Sequence, residues 1–192
     1  MIARALSAGL DQAAMSHRLF IGLRPPQAAR DTLLAALDGI ENARWQSDAQ
    51  LHVTLRFVGE VARPDANELA EALGRIRMDP FAVEIEGMGH FERRGAAKSV
   101  WARVKPSEPL ATLKKKIDRV CRDLGHEDDR RKFLPHITLA RLNGGSGPIG
   151  RFLARHADLH PPMFVTDRFI LFESHMGRGG SHYQAVAEYA LG

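Results

Sequence analysis

Two short segments of the chain, His52-Val53-Thr54-Leu55 and His136-Ile137-Thr138-Leu139, share the pattern His-x-Thr-Leu with a β-branched residue at x. With nine His and five Thr among 192 residues, random placement would give ~0.2 occurrences of His-x-Thr. A lone match on a strand is usually packing; a pair with matched flanks points to chemistry. In an extended strand residues i and i+2 share a face, so His52 lies beside Thr54 and His136 beside Thr138, while Val53, Leu55, Ile137 and Leu139 face a core. Two imidazoles and two hydroxyls brought together across one site suit phosphodiester cleavage without a metal. In-line displacement at phosphorus needs a base beside the attacking oxygen and an acid beside the leaving oxygen, and two His side chains can divide those roles at neutral pH. The Thr hydroxyls, and Arg141 if it reaches in, can stabilise charge on the non-bridging oxygens. An Arg follows each motif, Arg56 in one case and Arg141 in the other.

Positioning these side chains takes strands, and the chain supplies them between helical stretches. Residues 18–23 read as a buried strand, and Pro25-Pro26 then opens a helix carrying Leu33, Leu34 and Leu37. The first motif lies in a strand over 51–58 that ends at Gly59, followed by a helix with Leu69, Leu73 and Ile76 on one stripe. Phe81, Val83 and Ile85 alternate as a strand, 87–96 reads as a Gly/Arg-containing loop, and 100–104 as another strand. Ser107 caps a long helix with the stripe Leu110, Leu113, Ile117, Val120 and Leu124, stopped by Gly125. The second motif lies in a strand over 133–142, before a Gly-rich turn at 143–147 and a short helix near 149–156. Late strands over 163–172 and 183–189 are joined by a Gly-rich loop at 177–180. The expectation is one α+β domain over 16–192 with two similar lobes. Residues 1–15 read as an N-terminal extension or misassigned start, because strand patterning begins just after Met15-Ser16.

Composition bounds the partners. The chain is 44% hydrophobic and 26% charged, enough apolar material for a core, and this excludes disordered and low-complexity classes. Its net charge is only +4, yet residues 93–132 hold thirteen basic side chains against six acidic ones. That excess suits an anionic partner or a solvated helix face. The single cysteine, Cys121, rules out an intrachain disulfide, favouring a reducing cytoplasmic setting, and no apolar run approaches a membrane span.

On these residues the chain resembles the 2H phosphoesterase superfamily, and within it the bacterial RNA 2',3'-cyclic phosphodiesterases, also called 2'-5' RNA ligases. Besides both motifs the likeness includes RLFIGL at 18–23, Trp45 ahead of LHVTLRFVGE, GMGHF at 87–91 followed by VWARV, FLPHITLAR, and FESHMGRGGSHY near the end. The resemblance implies two pseudo-symmetric lobes, each an antiparallel sheet with helices, flanking a central active-site cleft. It implies hydrolysis of a 2',3'-cyclic phosphate at an RNA end to a 2'-phosphomonoester with no cofactor and no metal. His52 is then the proton donor and His136 the proton acceptor; spacing alone leaves that direction open. Arg141 is carried over as a phosphate contact, and Phe91 as a ring that stacks on a base. Trp45 and Trp101 read as core, and Arg93, Arg94, Lys98 and Arg130 to Lys132 as residues that guide RNA or serve solubility. A monomer acting on RNA ends or cyclic nucleotides, with no membrane partner, is expected.

Three other readings stand beside this one. His156 and His160 have the spacing of metal ligands on a helix but lack the Glu of a His-Glu-x-x-His site. A non-catalytic RNA or nucleotide binder would use the basic stretch but has no use for paired imidazoles. The same fold could act on ADP-ribose cyclic phosphate or another 2'-5' linkage, with the choice set in loops such as 87–96 and 177–181.

Overall fold

A computed structural model of the protein describes residues 16–128, 132–177 and 180–192. In chain order it has β1 (Ser16–Leu23), α1 (Gln27–Leu34), the short β2 (Arg44–Trp45), a 3-10 turn over Asp48–Gln50, β3 (Val53–Ala62) and α2 (Arg63–Leu73). Then come β4 (Phe81–Val83), β5 (Ile85–Arg93), β6 (Ala96–Val104), α3 (Glu108–Asp123), β7 (His136–Arg141) and α4 (Gly150–Arg155). The chain closes with β8 (Phe164–Thr166), β9 (Arg168–Gly177) and β10 (Gly180–Ala190). Local chemistry sets the helix ends. At α3, Ser107 Oγ accepts a hydrogen bond from the Leu110 amide at 3.4 Å, and Gly125 takes φ +81 just past the last turn. Its stripe of Leu110, Leu113 and Ile117 is buried, and each such side chain contributes about 1.5–3 kcal/mol to holding the helix down.

Both motif strands belong to one antiparallel sheet in the order β10-β9-β1-β3-β7-β6-β5, with β2 also paired to β7. Each half of that sheet is the framework of one expected lobe. In each, the motif strand pairs with a strand that precedes it across a helix: β3 with β1 across α1, and β7 with β6 across α3. The halves join edge to edge along β7: Val53 stands opposite Ile137, and β2 extends the seam with Arg44 opposite Arg141, Trp45 opposite Ala140, and the Gln46 amide donating to the Leu139 carbonyl at 2.8 Å. Val53, Leu55, Ile137 and Leu139 all enter the main core with α2 and α3, which pack on that face of the sheet. The opposite face carries the His and Thr side chains.

Several sequence expectations change in detail. Residues 87–96 are not a loop: β5 and β6 form a hairpin, with Arg94 (φ +55) and Gly95 (φ +75) as the two-residue turn between Arg93 and Ala96. Glycines that read as loop formers are strand residues here. Gly89 is needed because the Trp101 ring covers it, and a Cβ at that position would come 2.2 Å from the ring. The strand expected over 163–172 splits at Asp167 into β8, which pairs with β4 outside the main sheet, and β9. β3 runs on to Ala62 through Gly59, which takes φ +97. No helix among the described residues is long and apolar enough to cross a membrane. The expected extension at 1–15, the tip of the 177–180 loop, Arg130 and Arg131 lie outside the described residues.

Candidate active site

The Val53–Ile137 pair acts as a local two-fold centre. Because β3 and β7 are antiparallel, the register places His52 at the level of Thr138 and Thr54 at the level of His136. The two motifs therefore converge with each imidazole diagonal to the other.

Each His is oriented in the same way. His52 Nδ1 donates to the Gln50 carbonyl at 2.7 Å, and His136 Nδ1 donates to the Leu134 carbonyl at 2.7 Å. A carbonyl can only accept, so the proton of each neutral ring sits on Nδ1 and leaves Nε2 for the site. His52 Nε2 lies 3.1 Å from Thr54 Oγ1, whose hydroxyl donates to it when the ring is neutral. The carbonyls are themselves fixed. Gln50 ends a 3-10 turn closed by a Ser47–Gln50 capping box, its side chain donates to the Ser181 carbonyl at 2.6 Å, and Asp48 is held by Arg24 (2.8 Å) and Arg30 (2.6 Å). Leu134 precedes Pro135, which keeps its backbone extended.

Aromatic rings wall both imidazoles. His52 stands 4.8 Å from Phe20, 5.1 Å from Tyr183 and 5.9 Å from Phe172, ring centre to ring centre. Across the seam, His136 stands 4.8 Å from Phe91, edge to face, and 5.7 Å from Trp101. Burial among these rings is the first cause that lowers the His52 pKa, to about 4; His136, Arg141 and Arg24 lower it further, against the hydrogen bond to Gln50. His136 is lowered for the same leading reason, with Arg141 adding to it and the Leu134 carbonyl opposing. Both rings are thus neutral at pH 7 in the free protein.

A cleft of about 650 Å³ opens over this face, lined by Thr54, His136, Thr138, Arg141 and Phe91 among others. His52 reaches it through its contact with Thr54. Arg141 gets there by a backbone irregularity. Strict alternation from His136 and Thr138 would turn Arg141 to the core side, but Trp101 pairs with Thr138 and Val100 with Ala140, leaving Leu139 unpaired. That bulge returns Arg141 to the cleft. The same device operates on β3, where Ile21 pairs with Arg56 and Gly22 with Thr54, leaving Leu55 unpaired and turning Phe57 into the cleft. Arg56 is sent the other way, 2% exposed, 3.5 Å from Asp118 and donating to the Glu127 carbonyl.

All six residues singled out from the sequence, His52, Thr54, His136, Thr138, Arg141 and Phe91, therefore meet around one cleft. Trp101, read as core, is 4% exposed but sits on the cleft face between Phe91 and His136. Of the basic stretch, Lys114 and Lys132 border the cleft, whereas Lys105 pairs with Glu84 and Arg122 with Asp128 away from it. Sequence reading missed Phe57, Tyr183 and Gln50. Laying the two motif strands over each other residue by residue would have put Phe57 at the place of Arg141.

Comparison with known proteins identifies relatives over most of the chain. The model of the 2'-5' RNA ligase superfamily matches residues 25–175. The chain is similar to an RNA 2',3'-cyclic phosphodiesterase of Aeropyrum pernix, 31% identical over 144 residues that cover 73% of this chain and 82% of that protein. It is similar also to the enzyme of that name from Escherichia coli, at 27% identity over 91% of this chain and 97% of that one. Among solved structures, E. coli LigT complexed with 3'-AMP superposes with a TM-score of 0.74 at 26% identity, covering 92% of this chain and 98% of that chain.

Proposed function

The chain belongs to the 2'-5' RNA ligase superfamily, and from that premise we propose that it hydrolyses 2',3'-cyclic phosphate ends of RNA to 2'-phosphomonoesters by acid–base catalysis between His136 and His52. The observation that carries this reading is the diagonal pair of imidazoles on adjacent strands, each with Nδ1 tied to a carbonyl and Nε2 turned to one cleft. Relatives named RNA 2',3'-cyclic phosphodiesterase, covered over most of their length, support the substrate class.

In the proposed step water attacks phosphorus while His136 Nε2 takes its proton, and the bond from phosphorus to the 3' oxygen breaks as His52 Nε2–H protonates that oxygen. Thr54, Thr138 and Arg141 hydrogen-bond the non-bridging oxygens as negative charge grows there. The low pKa of His52 in the free protein means that its proton arrives with the substrate. A phosphate anion beside Nε2 favours the imidazolium and raises the pKa toward neutrality. Phe91, edge-on to His136 and 37% exposed, offers its open face to the base.

The test is turnover of 2',3'-cyclic nucleotides and of oligonucleotides with cyclic phosphate ends, with the product identified by NMR. His52→Ala and His136→Ala are each expected to lower kcat by about 10² to 10⁴ with much smaller changes in affinity. Wild-type rates in both variants, or a 3'-phosphate product, would refute the mechanism.

A further inference from the structure

The two ends of the cleft differ in chemistry. Phe57 and Arg141 occupy matching places on the two motif strands, three residues beyond Thr54 and Thr138. Since the strands run in opposite directions, these residues mark opposite ends. The Arg141 end offers a guanidinium to the reacting phosphate. At the Phe57 end the cleft is lined by Arg18, Lys114, Lys132 and Phe133. The Arg18 guanidinium lies 5.2 Å from the centre of the Phe57 ring, and the Lys114 ammonium 5.3 Å from that of Phe133. Lys114 is paired with Asp118 at 2.5 Å; among the described residues, Arg18 and Lys132 have no carboxylate partner. Two rings backed by cations, with two of the three positive charges not neutralised by a carboxylate among the described residues, make an environment for a base and a phosphodiester together.

We propose that this end of the cleft is a second nucleotide subsite, in which Arg18 and Lys132 hold the phosphodiester on the 5' side of the reacting nucleotide and Phe57 and Phe133 take the preceding base. The inference rests on the RNA-end reading above and names the direction in which the RNA leaves the site. A nucleotide that ends in a cyclic phosphate has no 3' neighbour, so any further nucleotide in the cleft lies on its 5' side. The β3 register supports the direction: Phe57 stands three residues beyond Thr54, at most ~10 Å along the strand and less through the Leu55 bulge, within reach of the nucleotide next to the reacting phosphate.

The experiment compares kcat/KM on 2',3'-cyclic AMP with that on ApA ending in a 2',3'-cyclic phosphate, for the native protein, Lys132→Ala and Arg18→Gln. The native protein is expected to favour the dinucleotide by about 10-fold or more, equivalent to about 1.4 kcal/mol. Each variant is expected to lose most of that preference, with the loss concentrated on the dinucleotide. The slope of log kcat/KM against log salt for the dinucleotide should become shallower by about 0.7 per cation removed. Equal use of both substrates by the native protein, or equal losses on both in the variants, would overturn the subsite. Calorimetric titration with the 2'-phosphate mono- and dinucleotides separates its fate from that of the RNA-end reading. Tighter dinucleotide binding that depends on Lys132 without turnover would sink the reaction and keep the subsite; turnover with no such difference would do the reverse.

Discussion

Arg56 and Arg141 look alike in the sequence and do opposite work. One residue of difference in their distance from the preceding Thr, acting through a bulge at Leu55 and another at Leu139, puts Arg56 in the core and Arg141 in the cleft. Arg56→Ala takes a buried donor from the Glu127 carbonyl while Asp118 keeps Lys114, and is expected to cost about 1–3 kcal/mol in urea unfolding, with kcat/KM per folded molecule within about 3-fold of native. Arg141→Ala is expected to stay within about 0.5 kcal/mol in the same unfolding measurement and to lower kcat/KM by about 10² to 10³. If Arg56→Ala abolished turnover in fully folded protein, the division of labour would be wrong. The four His and Thr were legible because a period of two needs no knowledge of the neighbouring strand. Arg141 was legible as a residue type but not as a direction, since an unpaired Leu leaves no mark in composition or periodicity.

At the level of elements, what reads easily is what a segment decides for itself. The α3 helix shows its Ser107 cap, its apolar stripe and its Gly125 stop without reference to anything else. The 87–96 hairpin does not, because Gly89 is a strand residue on account of Trp101, twelve residues away and across the turn. Gly22 presents the same logic beside the first motif strand. It pairs with Thr54, and a Cβ there would stand 2.6 Å from the Val53 carbonyl oxygen, a backbone atom that cannot swing aside. Gly22→Ala is therefore expected to push β3 out of line, costing about 1–3 kcal/mol by thermal or urea unfolding. Turnover should fall with it even at temperatures where the variant is fully folded, since Val53 lies between His52 and Thr54. Native turnover in the folded variant would show that the strand absorbs the shift elsewhere.

For the molecule as a whole, two imidazoles held neutral by burial tie folding to pH. The unfolded chain protonates its His near pH 6.5 while folded His52 resists until about 4. Between those values the unfolded state binds more protons, so the stability present above pH 6.5 drains away as pH falls toward the folded value. The pair His52→Asn and His136→Asn is expected to flatten that part of the pH dependence in urea unfolding between pH 6.5 and 5; an unchanged slope would contradict neutral burial. The α+β arrangement with two related halves was legible from the paired motifs and their family resemblance, whereas the continuity of one sheet through both halves was not, because strand-edge pairing depends on residues far apart in the chain. That continuity has two stitches on β7: Val53 opposite Ile137, and the short β2 with Arg44 and Trp45 opposite Arg141 and Ala140. The spacing of the two imidazoles is thus fixed by backbone pairing on either side of Thr138, so a change in β2, which carries neither motif, can alter the reach from one ring to the other without touching either.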